Sequence, residues 1–247
     1  MNTTRHDGHD TSPSTLYSPG PELWVADGGT VPFYGLPFPT RMVVIRLSGN
    51  RLWLHSPIEL SKPLQQQLDA LGKVTWLIAP NHLHHLFLDQ WLEVYPHARC
   101  LGTEQVIRKR HDLHFGGTLG PEPDPDWERD IDQLLFTGSP LMTEAIFFHR
   151  QSHSLIVTDL IENFSPQSLT PVKRFLARKA GVVAPNGSMP LDWRLSFMFH
   201  KSEAREHLQR MLDWQPERLI MAHGEIVTSH TGMFLQRAFR WLSQGKR

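Results

Sequence analysis

Between Val74 and Ala79 the chain reads Val-Thr-Trp-Leu-Ile-Ala, a run with almost no polar alternation. A strand of that kind is buried on both faces, and a sheet covered on both faces belongs to a layered α/β architecture. The run stops abruptly at Pro80-Asn81-His82-Leu83-His84-His85. A polar, imidazole-rich turn at the end of a buried strand is where such a sheet opens a crevice, so chemistry is expected there. Just upstream, Ser61 as N-cap, Pro63 in the first turn, and Leu64, Leu68 and Leu71 at helical spacing predict an amphipathic helix that Gly72 ends.

The flanking sequence extends this pattern on both sides. Residues 1–20 are rich in Ser, Thr, Pro and Gly and are expected to form a flexible tail that includes His6 and His9, leaving residues 21–247 as one domain. Leu23-Trp24-Val25, Met42 to Ile45 and Leu52 to Leu54 are β-prone, with Ser48-Gly49-Asn50 as a hairpin turn. Ala98 to Leu101 is a further strand, and Thr103 caps a basic helix reaching Arg110. Gly116 to Trp127 reads as a long exposed loop. In the second half, Ala145 to Phe148 pairs with Leu155 to Val157, which ends at Thr158-Asp159. A helix capped by Ser202 and a strand Arg218 to Met221 ending at His223-Gly224 follow, and then a last helix burying Phe234, Ala238, Trp241 and Leu242. Two sheet-and-helix halves packed face to face are predicted.

Composition narrows the function classes. Twenty-five basic residues balance 25 acidic ones, so no net field holds a polyanion or an anionic membrane, and neither nucleic acid nor membrane is expected as a partner. A small-molecule substrate or ligand remains. No apolar stretch approaches the roughly 18 residues of a membrane helix. The first residues lack the pattern of a secretory signal, and the single cysteine, Cys100, cannot form an internal disulfide, so a cytoplasmic location is expected.

Three strand ends deliver possible metal ligands: Asn81 to His85, Asp159 and His223. Imidazole with carboxylate suits zinc or iron. The order of strand and His-rich turn, strand ending in Thr-Asp, and strand ending in His-Gly resembles the metallo-β-lactamase superfamily over most of the chain. Thr40-Arg41-Met42, Leu54-His55-Ser56-Pro57, Ala79-Pro80-Asn81, His84 to Leu88 and Phe148-His149 resemble one branch of it that has a degenerate metal motif and no assigned activity.

The resemblance implies a four-layer αββα sandwich with a metal pocket at the edge where the sheets meet. The superfamily's His-x-His-x-Asp-His signature is incomplete in either register. Aligned on the strand, Asn81, Leu83, His85 and Leu86 fall on its four places; shifted by one, His82 and His84 take the first two and Leu86 and Phe87 the last two. Asp159 matches the bridging aspartate and His223 the last histidine.

The expected metal ligands are therefore His85, Asp159 and His223, with His84 or His55 as an additional or supporting group, for one or two zinc or iron ions. His84, His55 or Glu144 would position water or move protons. His149 is expected either on the hairpin surface or in the pocket as a general acid or base, and Arg194 either clamps an anionic substrate or forms a structural ion pair. Ser56 and Ser152 show no base partner at a known spacing. The function implied is metal-dependent hydrolysis. The alternatives are a non-catalytic binding protein that has lost the metal, and an iron-dependent oxidoreductase on the same fold.

Overall fold

The computed structural model of the protein describes residues 14–33 and 36–243; His6, His9 and the rest of the expected tail up to residue 13 lie outside the described residues. The elements of the first half are β1 (Tyr17–Gly20), β2 (Leu23–Phe33), β3 (Leu36–Leu47), β4 (Arg51–His55), α1 (Lys62–Leu71), β5 (Lys73–Ala79), α2 (Leu88–Val94), β6 (Arg99–Gly102), α3 (Glu104–Lys109) and β7 (Gly117–Thr118). Those of the second are β8 (Ile131–Phe136), β9 (Glu144–His149), β10 (Ser154–Ile156), α4 (Pro171–Ala180), α5 (Leu191–Ser196), α6 (Lys201–Asp213), β11 (Arg218–Ile220) and α7 (Thr231–Ala238).

Strands β1 to β7 form one sheet in sequence order, antiparallel as far as β4 and parallel beyond it. The second sheet runs β11-β10-β9-β8, with only β10 and β11 parallel. Residue alternation along the strands sorts the apolar side chains into three cores. Met42, Val44, Leu54 and Leu77 face α1, α2 and α3, where Leu64, Leu68, Trp91 and Val106 cover them. Val43, Ile45, Trp53 and Ile78 face Ile131, Phe147, Ile156 and Ile220 of the other sheet. Ile146, Phe148, Leu155 and Leu219 turn away towards Ala204, Met211, Phe234 and Leu235 of α6 and α7. Three cores separate four layers, helix-sheet-sheet-helix.

Several local expectations hold for identifiable reasons. The Ser61 hydroxyl accepts the Leu64 N–H at 3.3 Å and so caps α1. Gly49 and Asn50 both adopt positive φ, which closes the β3–β4 hairpin. Gly72 ends α1, yet its extended φ of 166° makes no demand for glycine. The demand is steric: a Cβ there would lie 2.2 Å from the Asn50 carbonyl oxygen.

Other expectations need correction. Tyr17–Gly20, assigned to the tail, is a strand paired with β2. The segment expected as an exposed loop contributes β7 and buries Leu119 and Trp127, whose ring meets Trp53 at 6.2 Å and Trp76 at 5.8 Å between the sheets. Polar composition marked the loop but not the two apolar side chains that anchor it. Thr103 stands at the N-cap of α3 without a side-chain bond, and α6 starts at Lys201, one residue ahead of its expected cap Ser202. Among the described residues, no helix is long and apolar enough to cross a membrane.

Candidate metal centre

Parallel β5 ends beside the start of β9, where the Ala145 N–H donates to the Pro80 carbonyl at 2.8 Å and fastens one sheet to the other. Asn81 follows and is fully buried. Its Oδ1 accepts the N–H groups of Leu83 (2.8 Å) and His84 (3.2 Å), so the side chain shapes its own turn. Its Nδ2 faces Asp159 Oδ2 at 2.7 Å, Thr158 Oγ1 at 2.9 Å and Glu144 Oε2 at 3.1 Å. This turn swings His84 into the crevice. There its Nε2 lies 3.1 Å from Asp159 Oδ2, and its Nδ1 lies 2.6 Å from Ser56 Oγ. Ser56 holds a φ of +54°, a sparsely populated conformation for a residue with a Cβ.

Asp159 sits in the turn after β10, and that turn is organised from below. The Glu144 carboxylate accepts the N–H groups of Thr158 (2.7 Å), Asp159 (2.9 Å) and Leu160 (3.2 Å). Glu144 is completely buried, and burial, reinforced by the nearby Asp159 charge, raises its pKa. Burial pushes Asp159 in the same direction, but the imidazoles of His84 and His223 outweigh it and hold that carboxyl well below the usual range.

His223 follows β11 in a loop whose shape requires the next residue to be glycine. Gly224 has a φ of +111°, and a Cβ there would fall 2.1 Å from the Asn163 carbonyl oxygen. Arg41 braces the loop by donating from Nη1 to the carbonyls of Met221 (2.8 Å) and Gly224 (2.7 Å). His223 Nδ1 lies 2.7 Å from the Pro39 carbonyl, which can only accept, so Nδ1 carries a proton and Nε2 is turned to Asp159 Oδ1 at 3.0 Å. Burial would lower the His223 pKa, but hydrogen bonding to Asp159 reverses the direction and raises it.

One ligand atom each from His84, Asp159 and His223 lies within 4.8 Å of the others. The three side chains line a cavity of about 230 Å³ together with Ser56, Phe38 and Lys109. Of the four expected ligands, His84, Asp159 and His223 thus come together and His85 does not. His85 lines the cavity but turns its Nδ1 to Arg110 Nη1 at 3.2 Å. Burial, with Lys109 and Arg110 nearby, lowers its pKa to about 4.

His55 and Glu144 do not face the cavity as expected. Alternation along β4 puts His55 on the Trp53 side, where its ring stacks on that indole at 5.7 Å inside the inter-sheet core; burial lowers its pKa to about 3. Glu144 is spent on backbone amides. Buried His149 is not on a surface either, since its Nδ1 meets Ser152 Oγ at 2.7 Å. Arg194 donates to the carbonyls of Met189 and Ala180 rather than to the crevice. Both serines judged to lack a base therefore sit beside a histidine, contacts made between residues 28 apart in one case and within a tight turn in the other.

The donor set fits one cation. Two imidazoles and a carboxylate converge on the cavity, and the outer nitrogen of each ring is fixed by Ser56 or by the Pro39 carbonyl, the support that metal-bound histidines need. Among the described residues this is the one group of three such donors, and the Asn81 amide N–H groups, which cannot act as ligands, occupy the inner edge of Asp159.

No protein-family model matches the sequence, and no curated protein matches it. Likeness appears in three dimensions. A metallo-β-lactamase from Hirschia baltica is similar with a TM-score of 0.62 and 13% identity, covering 95% of this chain and 100% of that one. A putative diflavin flavoprotein A 5 fragment from Nostoc sp. is similar at 0.61 and 11%, covering 93% and 95%. A metal-soaked Flv1 flavodiiron core from Synechocystis sp. is similar at 0.62 and 12%, covering 93% of this chain and 60% of that chain. The chain has the metallo-β-lactamase fold.

Proposed function

We propose that the protein is a metal-dependent hydrolase with a single-ion centre held by His84, Asp159 and His223, acting on a small-molecule ester, amide or phosphoester. The observation that carries this reading is the convergence of three donor atoms from three separate strand ends on one cavity. A Lewis acid held there would acidify a water molecule and polarise a carbonyl or phosphoryl oxygen.

The chain's own residues supply the rest. Ser56 and the Pro39 carbonyl keep both imidazoles aimed at the cavity. Lys109, whose ammonium donates to the His82 carbonyl at 3.0 Å, brings a positive charge to the lining, where it favours an anionic oxygen on the substrate. Phe38 and Leu83 offer apolar walls that exclude water around the reacting group. The same two-imidazole, one-carboxylate set suits ferrous iron as well as zinc, which keeps an iron-dependent oxidoreductase as the second reading.

Elemental analysis of the purified chain tests the proposal. At least about one transition-metal ion per chain is expected, falling below a tenth in Asp159→Ala. Wild-type protein that stays below a tenth after incubation with Zn²⁺ or Fe²⁺ would overturn it in favour of a non-catalytic binding protein. The identity of the retained metal separates the hydrolase from the oxidoreductase.

A further inference from the structure

The Phe38 ring lines both the donor crevice and a second, larger cavity of about 440 Å³, lined on one side by Leu176, Ala177 and Ala180 of α4. That volume lies in the range of small-molecule sites. Most of its lining is apolar, with Phe38, Phe164, Leu169 and Val182 joining the α4 residues. Phe38 and Phe164 meet edge to face at 5.3 Å and form one wall.

Against these walls stands Glu162, only 8% exposed. Its backbone is pinned by paired N–H to carbonyl bonds with Ser188, both 3.1 Å, so the side chain is placed by a rigid element. Yet its carboxyl group has no hydrogen-bond partner among the described residues. The contrast with Glu144 is direct, since that fully buried carboxylate accepts three backbone N–H groups. The carboxyl is not sealed inside protein but opens onto the cavity, where a ligand can complete it.

Burial raises the Glu162 pKa to about 8, with His223 opposing the shift and Asp159 and Asp192 adding to it, so the carboxylate form predominates only above about pH 8. Lys173, the one cation among the described lining residues, is half-buried and forms no ion pair with Glu162. A cationic donor gains a charge-assisted bond to the carboxylate in a low-dielectric setting and a favourable approach to two aromatic rings. A neutral or anionic molecule of the same shape gains neither.

We propose that this cavity binds a small apolar amine, its ammonium group on Glu162 and its hydrocarbon or aromatic body against Phe38 and Phe164. The site shares its Phe38 wall with the donor crevice, and none of its lining residues belongs to the donor cluster. Calorimetric titration of the full chain with phenethylamine, phenethyl alcohol and hydrocinnamate tests it near pH 9, where the Glu162 carboxylate form predominates and the amine is still largely an ammonium. The amine should bind at least about tenfold more tightly than the alcohol, with hydrocinnamate weakest. Glu162→Gln should bring the amine down to the level of the alcohol while leaving the alcohol unchanged. Ala177→Phe, which fills the cavity, should weaken binding of the amine and the alcohol at least about tenfold, with the melting temperature confirming an intact fold. Equal binding of amine and alcohol to the wild type, an amine advantage that survives Glu162→Gln, unchanged binding in folded Ala177→Phe, or no binding of any probe would overturn the assignment. Should Ala177→Phe not fold, the wild-type and Glu162→Gln titrations decide it alone.

Discussion

Strand β9 carries a buried ionisable side chain at each end, roughly 17 Å apart for six residues of extended chain. At the first end, Glu144 holds the turn that presents Asp159, and Asp159 faces two histidines and a cavity. At the second, His149 meets Ser152 Oγ at 2.7 Å, and Ser152 donates onward to Ser154 Oγ at 2.9 Å. That chain of hydroxyls closes on the Ser152 carbonyl and brings in no carboxylate. A buried histidine with a hydrogen-bond partner is therefore not enough to make a site. The difference lies in a converging carboxylate and in open volume beside it.

Five substitutions, in four tests, probe that contrast. The largest effect is expected for Glu144→Ala, which orphans three backbone N–H groups; unfolding in urea should show a loss of about 4 kcal/mol together with disruption of the Asp159 turn. A loss under about 1 kcal/mol would mean the turn holds itself.

At the other end of the strand, burial holds the His149 pKa at about 4, below the 6.5 of a free imidazole. The unfolded chain binds more protons between those values, so this contribution is complete above about pH 6.5 and is lost as pH falls towards 4. His149→Gln should flatten the acid-side loss of stability by up to about 3 kcal/mol, read from unfolding at a series of pH values. An unchanged slope would place the acid sensitivity elsewhere.

The third test separates two neighbouring residues. Zn²⁺ titration should show affinity reduced at least about hundredfold by His84→Ala, against less than about threefold by His85→Ala, where hundredfold corresponds to about 2.7 kcal/mol. The reverse order would restore the ligand set read from the sequence. The smallest effect belongs to Ser56→Ala, which frees the outer nitrogen of His84 and should cost about tenfold in Zn²⁺ affinity.

How far the sequence foretold this arrangement varies with the kind of information needed. The end of β5, Asp159 and His223-Gly224 were legible because each terminates an apolar strand, and strand ends on one edge converge. The choice between His84 and His85 was not, since adjacent side chains in a turn point differently according to backbone geometry. Here the Asn81 side chain sets that geometry through two backbone N–H groups. The sequence offers Glu144 for the pocket because it flanks an apolar strand; every residue of β9 is buried, so alternation gives no sign of its direction. His55 was misplaced although period-two alternation with Trp53 could have put it in the core. Glu162 left no signal at all; its setting depends on a bridge to Ser188, 26 positions along the chain, and on a cavity that only packing creates.

Asn81 joins groups from both halves of the sandwich through a side chain that is neither an acid nor an imidazole. A seam closed by an amide needs no cation to stay shut. Gripping an ion and keeping the two halves registered are thus separable duties in this molecule. Stripping the imidazole at position 84 should abolish the first while the second persists, leaving a folded, pocketed scaffold whose remaining cavity can still be occupied.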